Sequence, residues 1–290
     1  MNFEIVTDSS CNLTEEMIDE LDLHILPLTF MIDDEQFQSY LKGTHTDLQQ
    51  FYTKMRQGKL ITTSLPNLAD SEALLRSRLL AGKDVLYLGF SSALSGTYEA
   101  IELVCKDLQA QFPQRTIRAV ETLAASGGQG LLVYYAAQMA REGASLDEVA
   151  TWVQNNRLKL AHWFTVDDLM FLLRGGRVSK VGAYAGTMLN IKPVLHVDNE
   201  GRLIPQEKVR GRKKSLQALV RHMADTGIAP LEDQAIFITH GDCIEDAEYV
   251  ADLLRQKCGV RTILINYVDP VIGAHSGPGT IALFFLADHR

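Results

Sequence analysis

Metal-binding and redox spacings are missing from this chain. Its four cysteines, Cys11, Cys105, Cys243 and Cys258, form neither a CxxC motif nor a zinc-like pair. They are expected to be free, reduced thiols, with Cys105 filling core space within a helix. Positive charge is also short: 28 Lys and Arg stand against 36 Asp and Glu, a net charge of −8. That balance argues against nucleic acid as the main partner and against an anionic membrane surface. No apolar run approaches the length of a membrane span. The start, Met1-Asn2-Phe3-Glu4-Ile5-Val6, lacks the basic-then-apolar order of a signal peptide, which predicts a cytoplasmic protein. No G-x-x-x-x-G-K-[ST] phosphate loop occurs, and no serine sits in G-x-S-x-G, so the nucleophile elbow is missing too. What is present is ordinary globular composition, 46% apolar and 22% charged. At 290 residues the chain exceeds the usual single core, so one large or two modest domains are expected.

Strands and helices alternate through the first half. Strands are predicted at Phe3–Thr7, Ile25–Ile32, Val85–Gly89 and Ile117–Val120, with Pro27 pushing the second towards an edge or a bulge. Helices are predicted at Thr14–Leu21, Asp47–Met55, Asn67–Leu80, Glu99–Gln111 and Gly128–Glu142, and a further one is capped by Ser145 with Glu148 in the capping-box position. This pattern indicates a parallel sheet with helices on its faces. The second half reads as α+β. Strands fall at Ala161–Val166, Pro193–Val197, Leu203–Val209, Ala235–Thr239 and Arg261–Tyr267, and the turn Asp198-Asn199-Glu200-Gly201 makes a hairpin. Helices are expected at Asp167–Leu173, Val181–Leu189, Ser215–Ala224 and Ile244–Lys257. The predicted fold is therefore α/β with two domains, 1–158 and 159–290.

Three junctions carry small hydroxyl residues into a helix: Thr62-Thr63-Ser64, Ser91 to Thr97, and Ala125-Ser126-Gly127. A helix start offers free N–H groups and partial positive charge, and Ser or Thr adds donors without bulk. On a parallel sheet such junctions follow the carboxyl ends of strands, where ligands bind. Each is also explained as a simple cap. None contains Lys or Arg, which suits a carboxylate better than a triphosphate. His275, in a Gly/Pro-rich loop, is read either as a ligand contact or as a surface-loop histidine. Ser95, His275 and Asp269 supply the residue types of a hydrolase, the alternative reading. His240-Gly241-Asp242 offers two metal-ligand types with no third nearby, so a turn with Asp242 near a helix cap is expected instead. Two basic clusters stand out: Arg174-Gly175-Gly176-Arg177-Val178-Ser179-Lys180, and Arg210-Gly211-Arg212-Lys213-Lys214. Aromatic residues are not interleaved with them, which places RNA low.

Taken in order, several segments resemble the DegV family of bacterial fatty-acid-binding proteins. They are Ile5–Ser10, Thr63-Ser64-Leu65-Pro66, Ser91–Tyr98, Arg174-Gly175-Gly176-Arg177, Leu189–Pro193, Arg210-Gly211-Arg212 and Gly273–Gly279. The resemblance implies two domains with a long-chain fatty acid buried between them and no other cofactor or metal. It implies that Thr63 and Ser95 hold the carboxylate, with His275, Ser126 and Gly96 at the same end. It implies a carrier rather than a catalyst, one that can present its lipid to a separate fatty acid kinase. Arg174, Arg210 and Arg212 are then candidates for kinase docking or for the acyl phosphate. The sequence departs from the family pattern at Leu65 and Asn67, at Glu121-Thr122 and at Ala282.

Overall fold

The computed structural model describes residues 3–44, 46–178 and 190–290. The elements run β1 (Phe3–Asp8), α1 (Glu15–Glu20), β2 (Leu23–Leu26), β3 (Thr29–Ile32), β4 (Glu35–Gln38), α2 (Leu48–Arg56), β5 (Ile61–Ser64), α3 (Leu68–Leu80), β6 (Asp84–Gly89), α4 (Thr97–Gln111), β7 (Ile117–Glu121), α5 (Gly127–Arg141) and α6 (Leu146–Asn156). They continue β8 (Leu160–Thr165), α7 (Met170–Arg174), β9 (Ile191–Val197), β10 (Leu203–Arg210), α8 (Arg212–Thr226), β11 (Ala235–His240), α9 (Ile244–Cys258), β12 (Thr262–Tyr267), α10 (Pro270–Ser276) and β13 (Ile281–Leu286). The helix expected at Val181–Leu189 lies outside the described residues.

The amino-terminal half is built on the expected parallel sheet, in the order β2-β1-β6-β7. Its central strands are apolar on both faces because helices cover both sides. Local signals set the helix starts. Asn67 accepts from the N–H groups of Ala69 and Asp70, and Ser145 and Glu148 form the capping box.

The expected strand Ile25–Ile32 is two strands in two sheets. β2 ends at Leu26, Pro27 cannot donate to a ladder, and the chain re-enters as β3. The freed N–H of Leu28 donates to Ser9 Oγ at 2.9 Å. β3 pairs antiparallel with β4 and β5 in a three-stranded sheet that sequence reading missed. Its polar outer strand, Glu35-Gln36-Phe37-Gln38, is exposed throughout and carries no alternation to mark it.

The carboxy-terminal sheet has the order β10-β9-β8-β13-β11-β12, antiparallel except for β11 and β12. The predicted turn at Asp198–Gly201 closes the β9–β10 hairpin. α5 lies between the two large sheets. Every residue from Gly127 to Val133 is buried. Its Leu131 and Leu132 join one apolar cluster with Leu86 and Leu88 on one side and Phe237 and Phe284 on the other. Each such side chain contributes about 1.5–3 kcal/mol on full burial. This helix packs against both halves, and a cavity opens beside its first turn. All four cysteines are free, with Cys105 in the core as expected. Among the described residues no helix is long and apolar enough to cross a membrane.

Candidate functional site

A cavity of about 260 Å³ lies between the two large sheets. That is near the lower end of the roughly 300–1,000 Å³ usual for small-molecule sites. Its apolar wall includes Leu28, Leu65, Phe90, Leu94, Phe164, Leu172, Val197, Leu203, Val268, Val271, Ala282 and Phe284. Its polar lining includes Ser10, Thr63, Ser95, Ser126, His162, Arg177, Thr239 and His275.

All three hydroxyl junctions reach this cavity, though not all by the expected route. Ser95 precedes α4, whose N-cap is Gly96, and Gly96 lines the cavity too. Ser95 Oγ lies 2.9 Å from Thr97 Oγ1 and accepts from the Thr97 N–H at 3.3 Å. Thr63 stands inside β5 of the small antiparallel sheet, not at the end of a parallel strand. Ser126 is the N-cap of α5 but makes no capping bond. Its φ of 54° and ψ of −144° turn the hydroxyl to Asn12 Oδ1, at 2.6 Å. A serine held at positive φ costs of order 1–3 kcal/mol, and close packing explains why it persists. A methyl on Gly127 would press on Phe284 and Thr239, and one on Gly128 would overlap the His162 ring.

His275 is not in a loop. Asp269 caps α10, Pro270 takes its first position, and His275 falls in its last turn. Its Nε2 lies 2.8 Å from Thr63 Oγ1, across 212 residues of chain. Its Nδ1 lies 3.5 Å from Arg177 Nη1. A guanidinium only donates, so Nδ1 is the acceptor and the ring proton sits on Nε2. Nε2–H then donates to Thr63 Oγ1, which leaves the Thr63 hydroxyl proton for an acceptor in the cavity. Burial, with the nearby Arg177 charge, pushes the His275 pKa down to about 4. Unfolding exposes the ring, which then takes its proton near the ordinary value of 6.5. The neutral ring's contribution to stability is complete above pH 6.5 and is lost as pH falls towards 4. Unfolding free energies of wild type and His275→Gln, compared across that window, should converge on acidification. A difference independent of pH would contradict a buried neutral imidazole.

Arg177 is one of the lining residues, with Ser10, His162 and Thr239, that the sequence does not single out for the site. It is partly buried, and burial lowers its pKa. It donates to the carbonyls of Leu94 and Gly175 and faces His275. Among the described residues no carboxylate pairs with it. No Lys or Arg lies inside the three hydroxyl junctions, but a guanidinium from outside them, with no counter-ion among the described residues, borders this cavity. The signal was the Gly-Gly step after Arg174. A side chain at Gly175 would put its Cβ 2.6 Å from His275 Nδ1, so that glycine makes room for the ring.

The hydrolase constellation is not formed. Asp269 accepts from the N–H groups of Val271 and Ile272 and caps α10 instead of orienting His275. Ser95 makes its hydroxyl contact with Thr97, not with the imidazole. Asp242 lies in the turn between β11 and α9 as expected, next to the α9 cap Cys243, and pairs with Arg56. Among the described residues no cluster suited to a metal ion occurs. Arg174 and Arg210 are exposed and lie outside the cavity lining, while Arg212 is engaged with Asp246 and the Gly279 carbonyl. Ser179 and Lys180 of the first basic cluster lie outside the described residues. Ser91 and Ser92 shape the turn: Ser91 Oγ donates to the Gly201 carbonyl, and the Ser92 N–H donates to Glu121.

Comparison with known proteins agrees with this architecture. A DegV domain-containing protein of Clostridium perfringens is 44% identical over 288 residues, covering 99% of this chain and 98% of its own. A solved DegV family protein from Thermus thermophilus, described by its fatty acid binding, superposes with a TM-score of 0.88 at 29% identity, covering 99% of this chain and 100% of its own. A fatty-acid-binding DegV family protein from Streptococcus agalactiae superposes with a TM-score of 0.85 at 30% identity, each chain being covered completely. The sequence profile of the DegV family, described as uncharacterised proteins, matches residues 2–288, and this chain belongs to that family.

Proposed function

We propose that this protein binds one long-chain fatty acid, with the carboxylate among Thr63, Ser95, His275 and Arg177 and the acyl chain along the apolar wall. The observation that carries the reading is a guanidinium with no carboxylate partner among the described residues, set beside the Thr63 and Ser95 hydroxyls in a largely apolar cavity. A partly buried cation with no counter-ion among the described residues favours an anion, and a largely apolar wall favours one with a long hydrocarbon tail. Acyl burial supplies about 0.8 kcal/mol per CH₂, less the cost of ordering the chain. Fatty acid binding in the Thermus and Streptococcus relatives supports the same ligand class. In this reading residues 1–158 supply Thr63, Ser95, Gly96 and Ser126, and residues 159–290 supply Arg177 and His275.

The protein acts as a carrier. The exposed Arg174 and Arg210 are read as contacts for a separate fatty acid kinase. Arg212 is less suited, because its guanidinium is already bonded. Protein purified from cells, denatured and extracted into organic solvent, should release a fatty acid of about sixteen to eighteen carbons, a length the burial energy sustains. Mass spectrometry identifies it. An extract holding no lipid, or a bound nucleotide in its place, overturns the reading.

A further inference from the structure

Asp8, at the end of β1, is fully buried and does not line the cavity. Its carboxylate accepts from the Ser10 N–H at 3.2 Å, Tyr87 Oη at 3.2 Å, the Phe90 N–H at 3.3 Å and Gln129 Nε2 at 3.1 Å. Ser10 Oγ touches it as well. These donors come from the β1 end, from β6 and the turn after it, and from the first turn of α5. Ser10 and Phe90 line the cavity, and Gln129 follows Ser126 by three residues. The Phe90 link leads directly to Ser95, because the next residue, Ser91, accepts the Ser95 N–H through its carbonyl at 3.2 Å. Gln129 is held in one orientation. Its amide nitrogen faces Thr7 Oγ1, Asp8 and the Leu88 carbonyl, while its oxygen faces Ser10 Oγ at 3.0 Å.

Core stability alone does not require a carboxylate here. Burial opposes its ionised form, and the surrounding donors offset that only in part. We infer that Asp8 is a positioning residue for the head-group end of the cavity: from behind the wall it ties Ser10, the Phe90–Gly96 turn and the start of α5 into the spacing that presents Ser95. The inference rests on the fatty acid reading above.

Asp8→Asn keeps the shape but replaces one acceptor oxygen by a donor, so on one side a donor must face donors. The test uses the full-length, delipidated protein and two probes of equal chain length, palmitic acid and hexadecan-1-ol. Asp8→Asn is expected to weaken the acid by about ten-fold, the worth of a hydrogen bond to a charged group, and the alcohol far less. Adding Ser95→Ala should cause little further loss, because the two residues then act on one interaction. An unchanged acid-to-alcohol preference in the folded variant overturns the inference, as does equal weakening of both probes. If Asp8→Asn does not accumulate as folded protein, Gln129→Met removes the amide between Ser10 and Asp8 and is read in the same way. It should lower the acid preference, and an unchanged preference overturns the inference. Failure of the underlying reading looks different. The wild type would then show no preference for the acid, or Ser95→Ala would leave that preference intact.

Discussion

Fatty acid affinity should fall by about 30-fold or more in the Thr63→Ala/Ser95→Ala protein, since each lost buried hydrogen-bond site costs about 1–3 kcal/mol. The two residues fail in different ways. Thr63→Ala removes a hydroxyl that the His275 Nε2–H is placed to address, so the imidazole loses its acceptor along with the ligand's donor. Ser95→Ala removes a hydroxyl at the start of α4, where the helix end still offers its N–H groups. The loss in Thr63→Ala should therefore exceed that in Ser95→Ala. Neither change touches the apolar wall, so a fatty alcohol of the same length should bind nearly as well as to wild type. Isothermal titration of delipidated protein with both ligands checks this. Unchanged acid affinity in the double variant would place the carboxylate elsewhere.

Gly130→Ala should be the most damaging small substitution for the fold. On helix propensity alone, alanine is favoured by about 1 kcal/mol. Space decides otherwise. A methyl at Gly130 would overlap the carbonyl oxygen of Cys11 and press on Leu13 at 3.2 Å. A backbone oxygen has no other rotamer, so α5 must lift from the turn after β1. Overpacking of this kind costs about 3 kcal/mol, leaving a net loss near 2 kcal/mol after the propensity gain. At about 2–4 °C per kcal/mol the Tm should drop by roughly 4–8 °C. Asn12, next to Cys11, accepts the Ser126 hydroxyl, so the same shift disturbs the cavity wall. Differential scanning calorimetry reads the first effect and fatty acid titration the second. A Tm equal to wild type would show that α5 does not depend on this contact.

Much of the architecture was legible in the chain. The β1, β6 and β7 segments are short, rich in apolar residues and bounded by turn signals, and their length and turns mark them as strands. Asn67 and Ser145 announce their helices because a cap is a contact between near neighbours. The short antiparallel sheet was not legible. Its β4 is polar and exposed, and β5 looked like a junction because its threonines also suit a cap. Around His275, Gly273 and Gly277 dominate the sequence pattern and suggest a loop. Yet Asp269-Pro270 is a sound helix start that the glycines obscured.

The sequence by itself determined the local pieces: the parallel α/β half, the mixed second half, the hydroxyl junctions and their lack of lysine or metal ligands. These follow from hydrogen-bond and burial patterns repeated every few residues. Tertiary structure alone decided how the pieces meet. It set Thr63 against His275, brought Arg177 beside that ring with no acid paired to it among the described residues, and placed Asp8 behind the wall. Those contacts join elements far apart in the chain: β5 and α10 for Thr63 and His275, the turn after α7 for Arg177, and β1, β6 and α5 around Asp8. No short stretch of chain encodes how such elements pack. The charge of the site, a guanidinium bordering a largely apolar cavity with no acid paired to it among the described residues, is a property of that packing.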